Sequence, residues 1–457
     1  MKKIIRLAML TLFCLSAKGQ SNNFVKTETM LDAGGSNKIT SVQYFDGVGR
    51  PSVAATTGLN ANGTVGYTLQ TYDMDGREED SWLPGVSGTS PTYQSPDVVK
   101  QLSKSAHGGD THPYLHAEYD ALDRNTSLLQ PGQWWHQNSK KVQKSYSTNT
   151  ASSVRRYEVS ASGDLLTNKK YYEAATLYVE ETKDEDGKVV TIFTDFMGRK
   201  VLERRAGNND TYFVYNSNSE LCYVLSPMFQ QDSNIGKYAY VYKYDKRSRC
   251  IYKKLPGCEP VSYWYDNADR QMFIQDDVLK KAGRCRFILY DVFDRPVLQG
   301  TTTSTPKNYT SAGATLSNKT GICNTGYTQA SGVTLASPKL EKAIYYDNYD
   351  FLSYPAFKDC SNLAQMRKSS PLCATGFQTG VITTTTSEER LYSVSYYDIV
   401  GSPIDVRQTY PGNRLLVTRT GYSFTKKPKR VTYELRYDSK VDSMVVVNEY
   451  SKKNDAL

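Results

Sequence analysis

Seven times in this chain an Asp is followed four residues later by an Arg. The pairs are Asp46/Arg50, Asp73/Arg77, Asp120/Arg124, Asp195/Arg199, Asp245/Arg249, Asp266/Arg270 and Asp291/Arg295. Tyr stands directly before the Asp in five of them, and Tyr346-Asp347 and Tyr397-Asp398 keep the Tyr-Asp without the Arg. Each part has a physical reason. Aromatics at every second position, as at Tyr238, Tyr240, Tyr242 and Tyr244, make a strand with a face of rings. Asp suits the first position of a tight turn because its carboxylate accepts backbone N–H groups within the turn. Gly49, Gly76 and Gly198, three residues after their Asp, suit the left-handed conformation that closes a hairpin with a bulge. Asp123, Ser248, Asp269 and Asp294 replace that Gly, and Asp tolerates the same conformation. The Arg opens the return strand, within reach of the Asp or of a Tyr face.

A second punctuation repeats in step with the first. Gly58, Gly85, Gly132, Gly207 and Gly257 each lie eight residues after an Arg of the series, and Pro84, Pro131 and Pro256 precede three of them. Pro-Gly reads as a turn that ends the return strand. Asp195, position 216, Asp245, Asp266 and Asp291 recur roughly 20–30 residues apart, a repeat spacing. The expected fold is all-β: consecutive antiparallel hairpins joined into one large curved sheet.

The cassette resembles the YD repeat of Rhs-type proteins. The order of further pieces resembles the N-terminal part of secreted Rhs-repeat proteins of Gram-negative bacteria, in which a domain of unknown function opens with Tyr-Phe-Asp-Gly-x-Gly-Arg-Pro. Here that stretch is Tyr44 to Pro51, and the likeness continues through Leu83-Pro-Gly85, Tyr345 to Phe351, Leu391 to Asp398 and Gly421 to Lys426. The resemblance implies a β-shell of the polymorphic-toxin type, in which repeats wind around a cargo. Relatives continue into more repeats, a core segment that can cut itself and often a toxin. None of these precedes Leu457, so the expectation is a shortened or split relative that works with a downstream Rhs chain or by self-association, without self-cleavage or toxicity of its own.

Residues 1–19 read as a signal peptide: Lys2, Lys3 and Arg6, an apolar run from Leu7 to Leu15, then Ala17-Lys-Gly19 as a cleavage site. The mature protein is therefore expected to start near Gln20 and to be exported to the periplasm, the cell surface or the medium. The apolar run is too short to span a membrane, and no later stretch is long and apolar enough. Phe13 before Cys14 breaks a lipobox. Removing the leader takes four cations from the formal +9. The densest remaining basic run, Lys426 to Arg430, falls in an expected turn, so nucleic acid is not an expected partner. Residues 20–140 read as an N-terminal β domain anchored by Trp82, Trp134 and Trp135, with one helix starting after Ser95. Residues 141–300 hold the regular hairpins. Residues 301–338, rich in Thr, Ser, Gly and Asn, read as a polar linker or long loop that buries little. Residues 339–457 resume the hairpins and end in one more.

No constellation of catalytic residues stands out. Asp repeated in every hairpin fits a turn device better than a catalytic carboxylate, which is needed once. His107, His112, His116 and His136 cluster, but Pro113 disrupts a helix that would align metal ligands, and no Cys-x-x-Cys occurs. No catalytic group, cofactor or metal is expected. Export makes disulfides chemically accessible, with Cys250–Cys258 and Cys360–Cys373 as candidate pairs. Tyr240, Tyr242, Tyr263 and Tyr265 are candidates for stacking on a sugar, set against a cross-strand ladder that only holds the sheet. The expected function is a non-enzymatic exported scaffold or binding protein; the alternative is a carbohydrate-binding or carbohydrate-active secreted β protein.

Overall fold

Period-two alternation of buried and half-exposed residues shapes the structure, a computed structural model. It describes residues 23–450 apart from 59–62, 208, 318, 319, 330–332, 359, 364–372 and 439. The expected signal peptide, residues 1–19, falls outside the described residues. Antiparallel sheet takes up 26 of the strands and does not close. The chain divides after Val142 into two units.

The first unit is a meander of seven strands: Phe24–Met30, Lys38–Phe45, Pro51–Thr56, Val65–Tyr72, Glu78–Ser87, Tyr114–Tyr119 and Asn125–Leu129, each paired with the next. Alternate residues Val42, Tyr44, Val53, Ala55, Tyr67 and Leu69 point into one core with Trp82 and Val99. Val99 belongs to the helix Pro96–Ala106; Ser95 precedes it in extended conformation, and its side chain makes no capping bond. Pro84 and Gly85 correct an expectation, because they lie inside the strand Glu78–Ser87 rather than in a turn. The pairing slips between Tyr67/Gly85 and Leu69/Trp82, so Pro84 occupies a bulge, where a missing N–H is tolerated. A Cβ on Gly85 would stand 2.5 Å from the Leu102 carbonyl carbon, so Gly is what lets the helix lie on the strand. Trp134 is the second correction. It is 58% exposed and packs edge-on against Trp135 rather than anchoring a core.

The second unit runs from the strand Lys141–Thr148, which crosses the division, to Lys440–Val447. Lys141–Thr148 pairs with Tyr178–Lys183, and from there each long strand pairs with the next. The hairpin Arg155–Val159/Leu165–Tyr171 stands outside this run. Two buried clusters lie along the sheet, one around Leu202, Tyr212, Leu225 and Phe229, the other around Phe273, Phe287, Tyr345 and Phe351. Short helices also occur, among them Gln133–Gln137 in the first unit and Asp277–Lys281 here, which the strand grammar did not announce.

Residues 301–338 are not a linker. Pro296–Thr302 pairs directly with Lys339–Tyr346, so the segment is an insertion between neighbouring strands of one unit. It folds back as the small hairpin Ala314–Leu316/Tyr327–Gln329 and sends Ala312, Ala314, Tyr327 and Val333 into the second cluster. Tyr309, Leu316, Ile322, Cys323 and Leu335 pack against the same cluster, so average composition misled: a few well-placed apolar residues fix a polar loop.

Neither candidate disulfide is formed; all seven described cysteines are thiols. Cys250 lies on the strand Cys250–Lys254 and its thiol donates to the Tyr252 carbonyl at 3.4 Å. Burial pushes the Cys285 thiol up to about 11, whereas Cys258 is exposed. Thiolate is the reactive form. Iodoacetamide at pH 8 is therefore expected to label Cys258 first and to spare Cys222 and Cys285 until the protein unfolds, read by peptide mass spectrometry. Early labelling of Cys285 would contradict this packing.

Candidate functional site: a ladder of locked turns

All seven Asp-to-Arg cassettes make the same turn. The Asp Oδ1 accepts from the N–H two residues on and from the Arg N–H, as in Asp245 with Arg247 (2.9 Å) and Arg249 (3.1 Å). The other oxygen accepts from the Arg Nε at 2.7–2.8 Å in every copy. The backbone closes a four-residue turn inside a bulged hairpin, with Asp N–H donating to the Arg carbonyl. The residue before the Arg adopts positive φ: 88° at Gly76, 61° at Ser248, 62° at Asp269 and 61° at Asp294.

The Tyr that ends the strand entering a turn works for the preceding hairpin. Its hydroxyl donates to the carbonyl of the residue that follows the previous turn: Tyr72 to Pro51, Tyr119 to Glu78, Tyr215 to Lys200, Tyr265 to Cys250 and Tyr290 to Gln271, at 2.6–3.0 Å. The same lock recurs at Tyr244, Tyr346, Tyr397 and Tyr422. The ring lies under the previous Arg, with Arg50 4.2 Å from the Tyr72 centroid, Arg249 4.9 Å from Tyr265 and Arg295 4.2 Å from Tyr346. Cation–π contacts of this kind contribute about 0.5–2 kcal/mol each.

Arg124 is the most solvated Arg of the series. It holds its own turn, with Nε 2.8 Å and Nη2 2.6 Å from the Asp120 carboxylate. Its side chain is nevertheless 43% exposed, the most of the seven, against 14% for Arg249. The Asp120–Arg124 pair, with side chains 24% and 43% exposed, is more solvated than Asp245–Arg249 and its ion pair contributes less.

The Asp residues at the left-handed position have a job that Gly cannot do. Asp123 accepts from Arg77 of the preceding turn, Asp269 from Arg249 and Asp294 from Arg270, at 2.9–3.0 Å. Ser219 accepts from Arg199 in the same way at 3.1 Å. The preceding Arg offsets the strain of positive φ on a residue with a side chain. Ser248 fits this account, because the turn before it, Asn216–Glu220, has Glu in place of Arg. That turn and Ser423–Lys427 are further copies, built on the side-chain oxygens of Asn216 and Ser423. A Tyr immediately before each is the signal that marks them in the sequence.

Electrostatics follow geometry. For Asp245, burial pushes the carboxyl up, but bonds from the Arg249 side chain and from the Arg249 and Arg247 N–H groups outweigh it and hold the group below the usual carboxylate range. Arg295 is held more firmly charged, first by Asp347 and, against the opposing effect of burial, by Asp291. The charges of the cassette are spent on the turn or its neighbour. Asp245→Ala and Arg249→Ala are accordingly expected to lower the melting temperature. The cost is roughly 0.5–2 kcal/mol for the carboxylate, by analogy with helix caps. Unchanged melting for both would remove the lock as an explanation.

The histidines are used structurally. His107 donates to the Pro84 carbonyl, the His116 ring pairs with Asp80 at 2.7 Å, and His112 stacks on His136 at 4.6 Å. Among the described residues no group of three or more His, Cys, Asp or Glu side chains is arranged to hold a metal. Of the four candidate sugar-stacking residues, Tyr265 is committed to the ladder, with Arg249 over one face of its ring. Tyr240 is 37% exposed, and Tyr242 and Tyr263 are half-buried. Tyr240 and Tyr242 share one side of the strand Ala239–Tyr244, opposite buried Val241.

Residues 19–148 match the family model described as a domain of unknown function, DUF6443. No curated protein matches the chain. Among solved structures, TcdB2-TccC3 aligns with 91% of this chain at 12% identity and a TM-score of 0.48. The form without the hypervariable C-terminal region aligns with 94% of it at 11% identity and 0.49. The Photorhabdus luminescens Tc holotoxin pore aligns with 91% of it at 10% identity and 0.47. This chain spans 20%, 20% and 19% of those chains, respectively.

Proposed function

We propose that this chain is a non-enzymatic, exported scaffold of the Rhs polymorphic-toxin type, contributing wall to a β-shell and engaging a partner through its open sheet. The observation that carries the reading is the last strand, Lys440–Val447. It pairs with Pro428–Tyr437 on one side, and no described strand pairs with its other side. All eight of its residues are exposed, Val441, Val445, Val446 and Val447 among them. An uncovered edge rich in Val is a template for another strand. The repeated turns support the scaffold role, since their Asp, Arg and Tyr side chains are consumed by contacts within and between neighbouring hairpins. The partner is a further Rhs chain or a second copy.

Light scattering on the purified protein at micromolar concentration, alone and with the product encoded downstream, tests this. Self-association or a mixed complex, lost on Val445→Lys, is expected. A monomer under both conditions, with a cooperative melt, would overturn the shell-wall reading. The carbohydrate alternative rests on Tyr240, Tyr242 and Tyr263; glycan-array binding abolished by Tyr240→Ala would favour it instead.

A further inference from the structure

A cavity of about 770 Å³ opens in the second unit where the insertion 301–338 rejoins the sheet. Three pieces of chain form it. The strands Lys339–Tyr346 and Gln378–Thr384 bring their ends, with Lys339, Leu340 and Thr383. The turn from Thr385 to Glu388 forms one side, and Arg390 follows it at the start of the strand Arg390–Tyr397. The insertion supplies Cys323, Asn324 and Pro338. Small-molecule sites are ordinarily about 300 to 1,000 Å³, so the cavity is of ligand size.

Its charges are unequally committed. Two carboxylates line the cavity and both are paired, Glu388 with Lys339 at 2.6 Å and Glu341 with Arg286 at 2.8 Å. Glu388 holds the left-handed position of a turn in which Thr385 replaces Asp, its Oγ1 accepting the Glu389 N–H at 3.1 Å, and Lys339 does for Glu388 what a preceding Arg does in the ladder. The half-buried Arg284 beside the cavity is used up by the Thr301 hydroxyl and by the Thr301 and Ser337 carbonyls, at 2.8–3.0 Å. Arg390 is different. It is half-buried, donates to the Cys323 carbonyl at 2.9 Å and, among the described residues, makes no ion pair. A guanidinium has five N–H donors, so most of its capacity is left over. The loop that carries its acceptor holds Cys323 and Asn324 at φ 50° and 61°, the one place among the described residues where two successive residues with side chains are left-handed. With both pairs cancelled, Arg390 leaves the cavity a surplus of one positive charge. A planar guanidinium backed by Leu340 and Pro338 suits an oxyanion held by two parallel bonds. A monoanionic carboxylate fits better than a phosphate dianion, which would meet two carboxylates for one free cation. The exposed side chains of Thr383, Thr386 and Asn324 offer hydroxyl and amide groups to the rest of the ligand.

We propose that this cavity binds a small carboxylate that also carries hydroxyl groups, with the carboxylate on Arg390 and the hydroxyls on Thr383, Thr386 and Asn324. The inference is independent of the shell-wall reading, because it uses a cavity and not the sheet edge.

The test is isothermal titration of the purified protein with glucuronate, beside glucose, which keeps the hydroxyls without the charge, and inorganic phosphate, which carries charge without the carboxylate. Millimolar binding of glucuronate is expected, with glucose and phosphate weaker by about tenfold or more. Arg390→Gln should weaken glucuronate by about tenfold as well. Glu388→Gln should tighten it several-fold, because that change removes a repelling carboxylate and frees Lys339. If Arg390→Gln also lowers the melting temperature, Glu388→Gln decides: its side chain is 73% exposed, so the fold should hold, and an affinity unchanged or weakened in it would overturn the proposal. Absence of glucuronate binding, glucose or phosphate bound as tightly, or an affinity untouched by Arg390→Gln would each overturn it too.

Discussion

Asp266→Ala is expected to cost about 3–5 kcal/mol, the scale of breaking a buried charge pair by removing one partner. Asp266 is 1% exposed. One oxygen accepts from the Ala268 and Arg270 N–H groups at 2.9 and 3.0 Å; the other accepts from Arg270 Nε at 2.8 Å and from the Ala312 N–H at 2.9 Å. The last bond sets this copy apart, because Ala312 belongs to the insertion that packs into the core. Removing the carboxylate therefore loosens a turn, leaves exposed Asp294 as the one carboxylate paired with Arg270 and unpins the insertion. Urea denaturation measures it. A loss no larger than that of Asp245→Ala would show that Ala312 gains nothing from the contact. The pH dependence has a definite sign. Burial pushes the Asp266 carboxyl up, but Arg270 and the Ala312 and Arg270 N–H groups together hold it below the usual range. Its stabilisation is full above the unfolded value of about 3.9 and is lost as pH falls through the folded value. The difference between wild type and Asp266→Ala should thus shrink in acid.

The strands and turns were legible because they depend on neighbours in sequence. Period-two aromatics gave the strands, and an Asp with a permissive residue three positions on gave the turns. The job of each Tyr was not legible, since its hydroxyl serves a carbonyl about twenty residues earlier; Tyr265 reaches Cys250, for example. Nor was the reason for Asp at the left-handed position, because Asp269 answers to Arg249 and not to its own turn. Pro84-Gly85 reads locally as a turn, and only the helix Pro96–Ala106 lying against it explains why the pair sits within a strand. The division into 141–300 and 339–457 followed from composition, whereas strand pairing joins them across residues 301–338 in one unit.

That insertion supplies the second large effect. Tyr327→Ala is expected to cost about 3–5 kcal/mol, as for other large-to-small changes at a fully packed aromatic. The Tyr327 ring stacks 5.4 Å from that of Tyr345, which lies between it and Phe351 at 4.5 Å. Its hydroxyl donates to the Ile344 carbonyl at 2.6 Å, and Tyr345 returns the exchange to the Thr325 carbonyl at 2.8 Å. Burial pushes the Tyr327 hydroxyl far up, so it remains a donor across the working pH range. The preceding Gly326, at φ 85°, leaves no room for a side chain, since a Cβ there would stand 2.7 Å from the Tyr354 ring. The loop is therefore committed to this one path into the core. Tyr327→Phe separates the contributions: it keeps the stacked ring and leaves the Ile344 carbonyl unpaired, for a loss of about 1–3 kcal/mol. Chemical denaturation gives both values, and trypsin cleavage after Lys307 should accelerate in Tyr327→Ala before global unfolding. If Tyr327→Ala fell within about 1 kcal/mol of wild type and cleavage at Lys307 were unchanged, residues 301–338 would be a passenger on the sheet, and the second hydrophobic cluster would stand without them.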